Sequence, residues 1–271
     1  YVGHDGPHHL NICEGRPRLR SLRQYHGKPG SGASVEFTIR HGPLTLLSVG
    51  QTHDGRFKFI IGEVCSSASI PVSEIVNQKK VLQISPTSTN ATVTVDADGN
   101  TKPFTFRACF IDPFQGKAAA KFATEELGAK TAVLLVDIAL DYPVGLANYF
   151  RSNFIEMTGD EKSILSYQSF QTGDRDFTAQ LTQIKALNPD IVFAPNEYAE
   201  LGAILQQAKQ LGITAKFLAG DSADVPELVQ IAGENAEGFM YTAQFHPDAF
   251  THPEAGVFTD AFRAEYNIDP E

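Results

Sequence analysis

Basic residues are in short supply. The chain has 22 Lys and Arg against 32 Asp and Glu, a formal net charge of −10 and a pI near 5.3. That balance excludes a nucleic-acid partner, which would need a broad basic face. The one basic cluster, Arg16, Arg18, Arg20 and Arg23, reads as a solvated face. Long apolar runs are also missing. Residues 132–136 have the length of a buried strand, far short of the roughly 18–20 residues of a membrane span. The three cysteines, Cys13, Cys65 and Cys109, show no CxxC spacing, so neither a zinc site nor a redox motif is indicated. One disulfide can form, with the pair left open. No catalytic triad, phosphate loop or paired-carboxylate motif stands out, so no catalytic residue and no cofactor are assigned. A leader segment is not visible either: the chain opens Tyr1-Val-Gly-His4 and stops in mid-pattern at 267–271, which reads as a fragment.

What is present divides near residues 57–63. Residues 1–63 carry a net of +3 and six of the eight histidines; residues 64–271 carry −13. The 271 residues suit one large or two ordinary domains, and 42% hydrophobic content is enough for a core. The first part reads as a small antiparallel β segment rather than a βαβ unit. Residues 35–39 alternate at period two, His41-Gly-Pro43 is a turn, 44–49 is a strand, His53-Asp-Gly55 is a hairpin turn and 57–61 is a third strand. Gly3-His-Asp-Gly-Pro-His-His9 places imidazole beside carboxylate, a pairing that can hold a divalent metal, though the spacing fits no standard zinc pattern.

Four phrases in order, Gly3-His-Asp-Gly-Pro7, Tyr25-His-Gly-Lys28, Ser34-Val-Glu-Phe37 and His41-Gly-Pro-Leu-Thr-Leu-Leu-Ser48, resemble the C-terminal region of sugar isomerases of the L-fucose/L-arabinose type. The resemblance covers residues 1–60. It implies that His4 is the counterpart of a histidine at a Mn²⁺ site. The acidic ligands of that family have no counterpart here, and a hard cation prefers oxygen ligands to one imidazole, so isomerase activity is not expected.

From residue 64 onward, strands alternate with amphipathic helices, the pattern of an α/β fold built on a parallel sheet. Strands are expected at 81–84, 104–107, 131–136, 163–170, 190–193, 217–219 and 238–241. Helices are expected at 112–127, 145–157, 176–187, 198–211, 226–232 and 253–266. In such sheets ligands bind beyond the carboxyl ends of the strands. Ser and Thr hydroxyls there suit a carboxylate, an Asp suits an ammonium, and Tyr can cover an apolar side chain. Taken singly, Ser66 and Ser69 also read as helix caps, and Asp221 as a cap or turn residue.

Cys65-Ser-Ser-Ala-Ser-Ile-Pro71, Ile84-Ser-Pro-Thr-Ser-Thr-Asn90, Phe106-Arg-Ala-Cys-Phe-Ile-Asp-Pro-Phe-Gln-Gly116, Thr172-Gly-Asp-Arg-Asp-Phe177 and Ala232-Gly-Glu-Asn-Ala-Glu-Gly238 resemble the leucine/isoleucine/valine-binding proteins, type 1 periplasmic solute-binding subunits of ABC importers. The resemblance runs over about 200 residues. It implies two Rossmann-type lobes, each a parallel sheet with helices on both faces, closing on a hinge around a branched-chain or related aliphatic amino acid. It implies that Ser66 and Thr89 hold the ligand carboxylate, that Thr87 offers its carbonyl to the ammonium, that Asp221 is the acidic ammonium partner and that Tyr142 closes over the ligand. Tyr198 follows Glu197 where the family often has a tyrosine pair. The expected division is an isomerase-like segment 1–63, a partial first lobe 64–109 with 245–271, and a second lobe 110–244. The implied partner is a membrane permease, the implied state a monomer and the implied location periplasmic or extracellular. A sugar-isomerase fragment, or a chimera with no competent site, is the alternative.

Overall fold

The structure is a computed structural model that describes residues 48–51, 57–244 and 253–268. His4, Cys13 and the strand at 35–39 lie outside the described residues. The described residues form two compact units. One takes those up to Phe114 with Asp137–Tyr149 and Ser169–Asp174; the other takes Gln115–Val136, Phe150–Gln168 and those from Arg175 onward.

The first unit holds four strands, β1 (Ser48–Gln51), β2 (Phe57–Ile61), β3 (Leu82–Ser85) and β4 (Thr105–Arg107), in that order across one sheet. β1 runs antiparallel to β2, with Ser48 opposite Ile61. β2 and β3 are parallel, with Phe59 opposite Leu82, and so are β3 and β4. Helix α1 (Ser66–Lys79) makes the crossover from β2 to β3. The stretch expected to stay purely antiparallel therefore supplies the first strand of a βαβ unit. Alternation within a strand reports which face is buried, but not which neighbour it pairs with.

The inner face of α1 is polar. Ser66, Ser67, Ser69 and Ser73 are buried there beside Val72 and Val76. Hydroxyl hydrogen bonds therefore do much of what an apolar stripe does on other helices. Ser73 donates to the Ile70 carbonyl, and Asn77 Nδ2 reaches both the Ser73 carbonyl and Thr105 Oγ1. On the other face of the sheet, Phe59, Ile61 and Phe106 are 39%, 48% and 51% exposed.

The second unit is arranged on a five-stranded sheet, β5 (Ala132–Asp137), β6 (Ile164–Phe170), β7 (Ile191–Phe193), β8 (Lys216–Ala219) and β9 (Met240–Tyr241), ordered β6-β5-β7-β8-β9. β5, β7, β8 and β9 run parallel. Every residue of β5 and β7 is buried, as a parallel sheet covered by helices requires. The helices after β4 are α2 (Asp112–Lys121), α3 (Asp141–Thr158), α4 (Thr178–Leu187), α5 (Tyr198–Gln210), α6 (Pro226–Ala232) and α7 (Pro253–Tyr266), of which residues 112–114 and 141–149 belong to the first unit. At the core, Phe150 of α3 stacks on Phe193 of β7 with ring centroids 4.0 Å apart and planes 7° from parallel.

The expected spans of α6 and α7 agree with the structure. α3 begins at Asp141 rather than 145, because Pro143 sits in its first turn, where a missing N–H costs nothing. α2 ends at Lys121 and runs on through a π-helical turn, Phe122–Glu126, before Gly128 takes φ +66°. α4 starts two residues late, since Asp176 instead accepts the Thr178 N–H at 2.9 Å.

Candidate functional site

The loops at the carboxyl ends of β2 and β3 are built from hydroxyls. The Glu63 carbonyl accepts from Ser69 Oγ at 3.2 Å, Ser85 Oγ at 2.6 Å and Ser88 Oγ at 3.0 Å. The Val64 carbonyl accepts from Ser88 Oγ at 3.0 Å and Thr87 Oγ1 at 2.8 Å. Ser69 Oγ also accepts the Glu63 N–H. These bonds lock the β2–α1 connection against the 85–90 loop. From the end of β4, Arg107 reaches under the same loop and donates to the carbonyls of Ser88 at 2.7 Å and Asn90 at 2.9 Å, and to Thr94 Oγ1. Burial pushes its guanidinium below the usual arginine range.

Within this frame lie four of the expected residues. Ser66 is buried, and its Oγ accepts the Asn90 N–H at 3.1 Å. That leaves its hydroxyl proton available to an acceptor. Ser66 is the first residue of α1, and the cap position belongs to Cys65, so the cap reading of Ser66 and Ser69 is corrected. Thr89 is 1% exposed, and its Oγ1 has no hydrogen-bond partner among the described residues, while its carbonyl accepts from the Asp112 N–H. Thr87 spends its hydroxyl on Val64. Tyr142 is 7% exposed in the first turn of α3, within the first unit. Ahead of it, Asp137 accepts from the N–H groups of Ala139 and Thr172 and from the Thr172 hydroxyl. Burial raises the Asp137 pKa against the lowering effect of those bonds. Ser67 Oγ accepts the Asp141 N–H at 2.7 Å, tying the start of α3 to α1.

Glu63 is 7% exposed, and its Oε1 is buried with no hydrogen-bond partner among the described residues. Burial pushes its carboxyl from the ordinary 4.5 up to about 7.

In the second unit the expected residues follow β7 and β8. Tyr198 opens α5 directly after Glu197. Asn196, fully buried, donates from Nδ2 to the Leu135 carbonyl at 2.8 Å and accepts at its own carbonyl from Ser222 Oγ at 3.0 Å, which joins the ends of β5, β7 and β8. Asp221 starts the 3₁₀ turn Asp221–Ala223, and Gly220 holds the cap position, so of its two local readings the turn residue holds and the cap does not. Its Oδ1 accepts from Gln115 Nε2 at 2.7 Å and its Oδ2 from Gln244 Nε2 at 2.5 Å.

The sequence reading missed Glu63, Ser67, Arg107, Gln115 and Gln244. Ser67, Arg107 and Gln115 sit inside motifs that carried the resemblance, yet nothing in their spacing marks them. Cys65 is disulfide-bonded and Cys109 carries a thiol, while Cys13 lies outside the described residues. Among the described residues there is no cluster of three or more His, Cys, Asp or Glu able to hold a metal, and no helix is long and apolar enough to cross a membrane.

The profile of the periplasmic binding protein family matches residues 53–271, and the chain belongs to that family. A leucine-, isoleucine-, valine-, threonine- and alanine-binding protein of Pseudomonas aeruginosa is 32% identical over 259 residues, covering 93% of this chain and 66% of its own length. A Leu/Ile/Val-binding protein homolog of Brucella abortus is 31% identical over 214 residues, covering 79% of this chain and 55% of its own. Among solved structures, a leucine binding protein from Thermotoga maritima superposes with TM-score 0.70 at 41% identity, over 79% of this chain and 58% of that one. A branched-chain amino acid transporter substrate binding protein from Streptococcus pneumoniae, in complex with isoleucine, gives 0.67 at 32% identity, over 79% and 58%. The chain thus spans between about half and two thirds of the length of these relatives. The Pseudomonas match covers too much of the chain to stop at residue 60. The sugar-isomerase resemblance of residues 1–60, with His4 as a metal ligand, gains no support from these matches, and neither does a chimera.

Proposed function

We propose that this member of the periplasmic binding protein family is a solute-binding module for a branched-chain or related aliphatic amino acid, and not an enzyme. Ser66 and Thr89 take the ligand carboxylate through hydroxyl and backbone N–H, and Thr87 offers its carbonyl to the ammonium. Asp221 is the acidic ammonium partner, and Tyr142 and Tyr198 cover the side chain. The observation that carries the reading is the Thr89 hydroxyl, buried and without a partner among the described residues, on a loop that Arg107 and three serines hold in place. A buried hydroxyl left unsatisfied costs about 1–3 kcal/mol, and a ligand carboxylate would recover it. Relatives and structural neighbours whose names record binding of leucine, isoleucine and valine support the choice of ligand. By the same likeness, the module serves an ABC importer, meets its membrane permease as a monomer and works in the periplasm or outside the cell.

Isothermal titration with leucine, isoleucine and valine tests this. Saturable heat with at least one of them, lost in Thr89→Val, is the expected result. Neither heat nor a thermal shift with any of the three would sink it.

A further inference from the structure

Asp221 does not stand alone at the end of β8. Gln115, in the first turn of α2, is 1% exposed, and its Nε2 forks between Asp221 Oδ1 at 2.7 Å and Thr242 Oγ1 at 2.8 Å. Gln244 Nε2 takes the other carboxylate oxygen at 2.5 Å. One amide on each oxygen fixes both the position and the plane of the carboxylate, and hydrogen bonds to a charged acceptor are the strong ones. Thr242 follows β9, whose neighbour is β8, so the fork also ties Asp221 to the sheet edge. The arrangement has a cost: Gln115 Oε1 is buried with no partner among the described residues. Rotating the amide by half a turn would relieve that oxygen but would press a carbonyl dipole against the carboxylate. Gln115 therefore has one useful orientation, and the Asp221 carboxylate sets it.

We infer that Gln115 is a positioning residue for amine recognition, an inference that rests on the proposed amino-acid site. It touches no ligand. It holds Asp221 where the carboxylate meets an ammonium group, so its loss should weaken amine-bearing ligands selectively. Gln115→Met keeps the side-chain length and removes both donors. The test compares L-leucine with 4-methylpentanoate, the same molecule without its amine, by titration calorimetry and ligand-observed NMR.

The expected result is that Gln115→Met weakens L-leucine by about tenfold or more, while 4-methylpentanoate changes by less than about twofold. Gln115→Glu at a pH low enough to protonate the new carboxyl restores a donor to Asp221 and should recover part of the loss. An unchanged L-leucine affinity overturns the inference. So does an equal loss for both ligands, which would mean general damage to the unit. If the unaltered chain binds L-leucine no better than 4-methylpentanoate, the ammonium role of Asp221 falls and the inference with it. If the unaltered chain binds neither, the amino-acid reading itself fails, a result distinct from the other three.

Discussion

The ammonium of Lys102 donates to the hydroxyl of Ser73 at 2.8 Å, although Lys102 is only 6% exposed. It also donates to the Thr92 carbonyl at 2.8 Å and pairs with Glu74 at 2.6 Å. The lysine thus pins the serine-lined face of α1 to the 90–94 turn. The two charges are not equivalent, because Glu74 is 58% exposed and keeps its hydration when its partner is lost. Lys102→Met should cost about 1–3 kcal/mol, mainly for the stranded Thr92 carbonyl. Glu74→Ala leaves the buried ammonium of Lys102 without its counter-ion and should cost at least about 1 kcal/mol as well. Urea unfolding of both variants checks this, and a negligible loss in Glu74→Ala would show that the hydrogen bonds to Ser73 and Thr92, rather than the ion pair, hold the helix.

Glu63 makes stability depend on pH in an unusual direction. Its carboxyl is raised by burial from 4.5 to about 7, so the folded state holds the proton that the unfolded state releases. Below about pH 4.5 both states are protonated and nothing is lost. As pH rises from there to about 7, the unfolded state ionises first and stability falls. Above 7 the penalty levels off at an order of about 3 kcal/mol. Asp137, also raised by burial, acts with the same sign. Asp96, Asp176 and Asp190 are lowered by their hydrogen bonds and act oppositely, but below about pH 4. Comparison with Glu63→Gln isolates the group. The variant should match the parent near pH 4.5 and exceed it near pH 8, read as urea midpoints. Parallel pH profiles would remove Glu63 as the cause.

The second unit was largely legible in the sequence, because β5 and β7 are continuous apolar runs and the helices between them carry apolar residues at helical spacing. The first unit was less so. The inner face of α1 is Ser66, Ser67, Ser69 and Ser73, and polar residues give no periodic apolar signal however deeply they are buried. The pairing of β2 with β3 was hidden for a related reason: register and neighbour are properties of two strands, and alternation describes one. In the site, hydroxyls at strand ends could be named from sequence. Their supports could not, because Arg107 lies 18 positions from Thr89, and Gln115 lies 106 positions from Asp221.

Arg107 should be the support whose loss reaches the site most directly. Its two nitrogens hold the carbonyls of Ser88 and Asn90, the residues on either side of Thr89. Arg107→Met leaves both carbonyls without their cation and should cost about 2–3 kcal/mol, with weaker amino-acid binding. Arg107→Lys should recover only part, because a point charge cannot reproduce the planar fork. Differential scanning fluorimetry with and without leucine reads both effects. A lysine variant equal to the parent would show that charge alone suffices.

Gly145 of α3 lies against Asn90 of the 85–90 loop. A Cβ there would lie 2.5 Å from Asn90 Nδ2 and 3.2 Å from Asp112 Oδ2. Asn90 cannot easily yield. Its Nδ2 donates to the Asp141 carbonyl at 2.8 Å, its Oδ1 accepts from Thr92, and its N–H is bound to Ser66 Oγ. Alanine in a helix interior is ordinarily better than glycine by up to about 1 kcal/mol. Here the overlap should outweigh that gain, and Gly145→Ala should destabilise by about 1–3 kcal/mol. The cause can be isolated by repeating the substitution in an Asn90→Ala background. With the amide removed, Gly145→Ala should become neutral or slightly stabilising, and the difference between the two backgrounds measures the contact. An equal cost in both would place the clash on Asp112 and leave the Ser66–Asn90 bond outside the account.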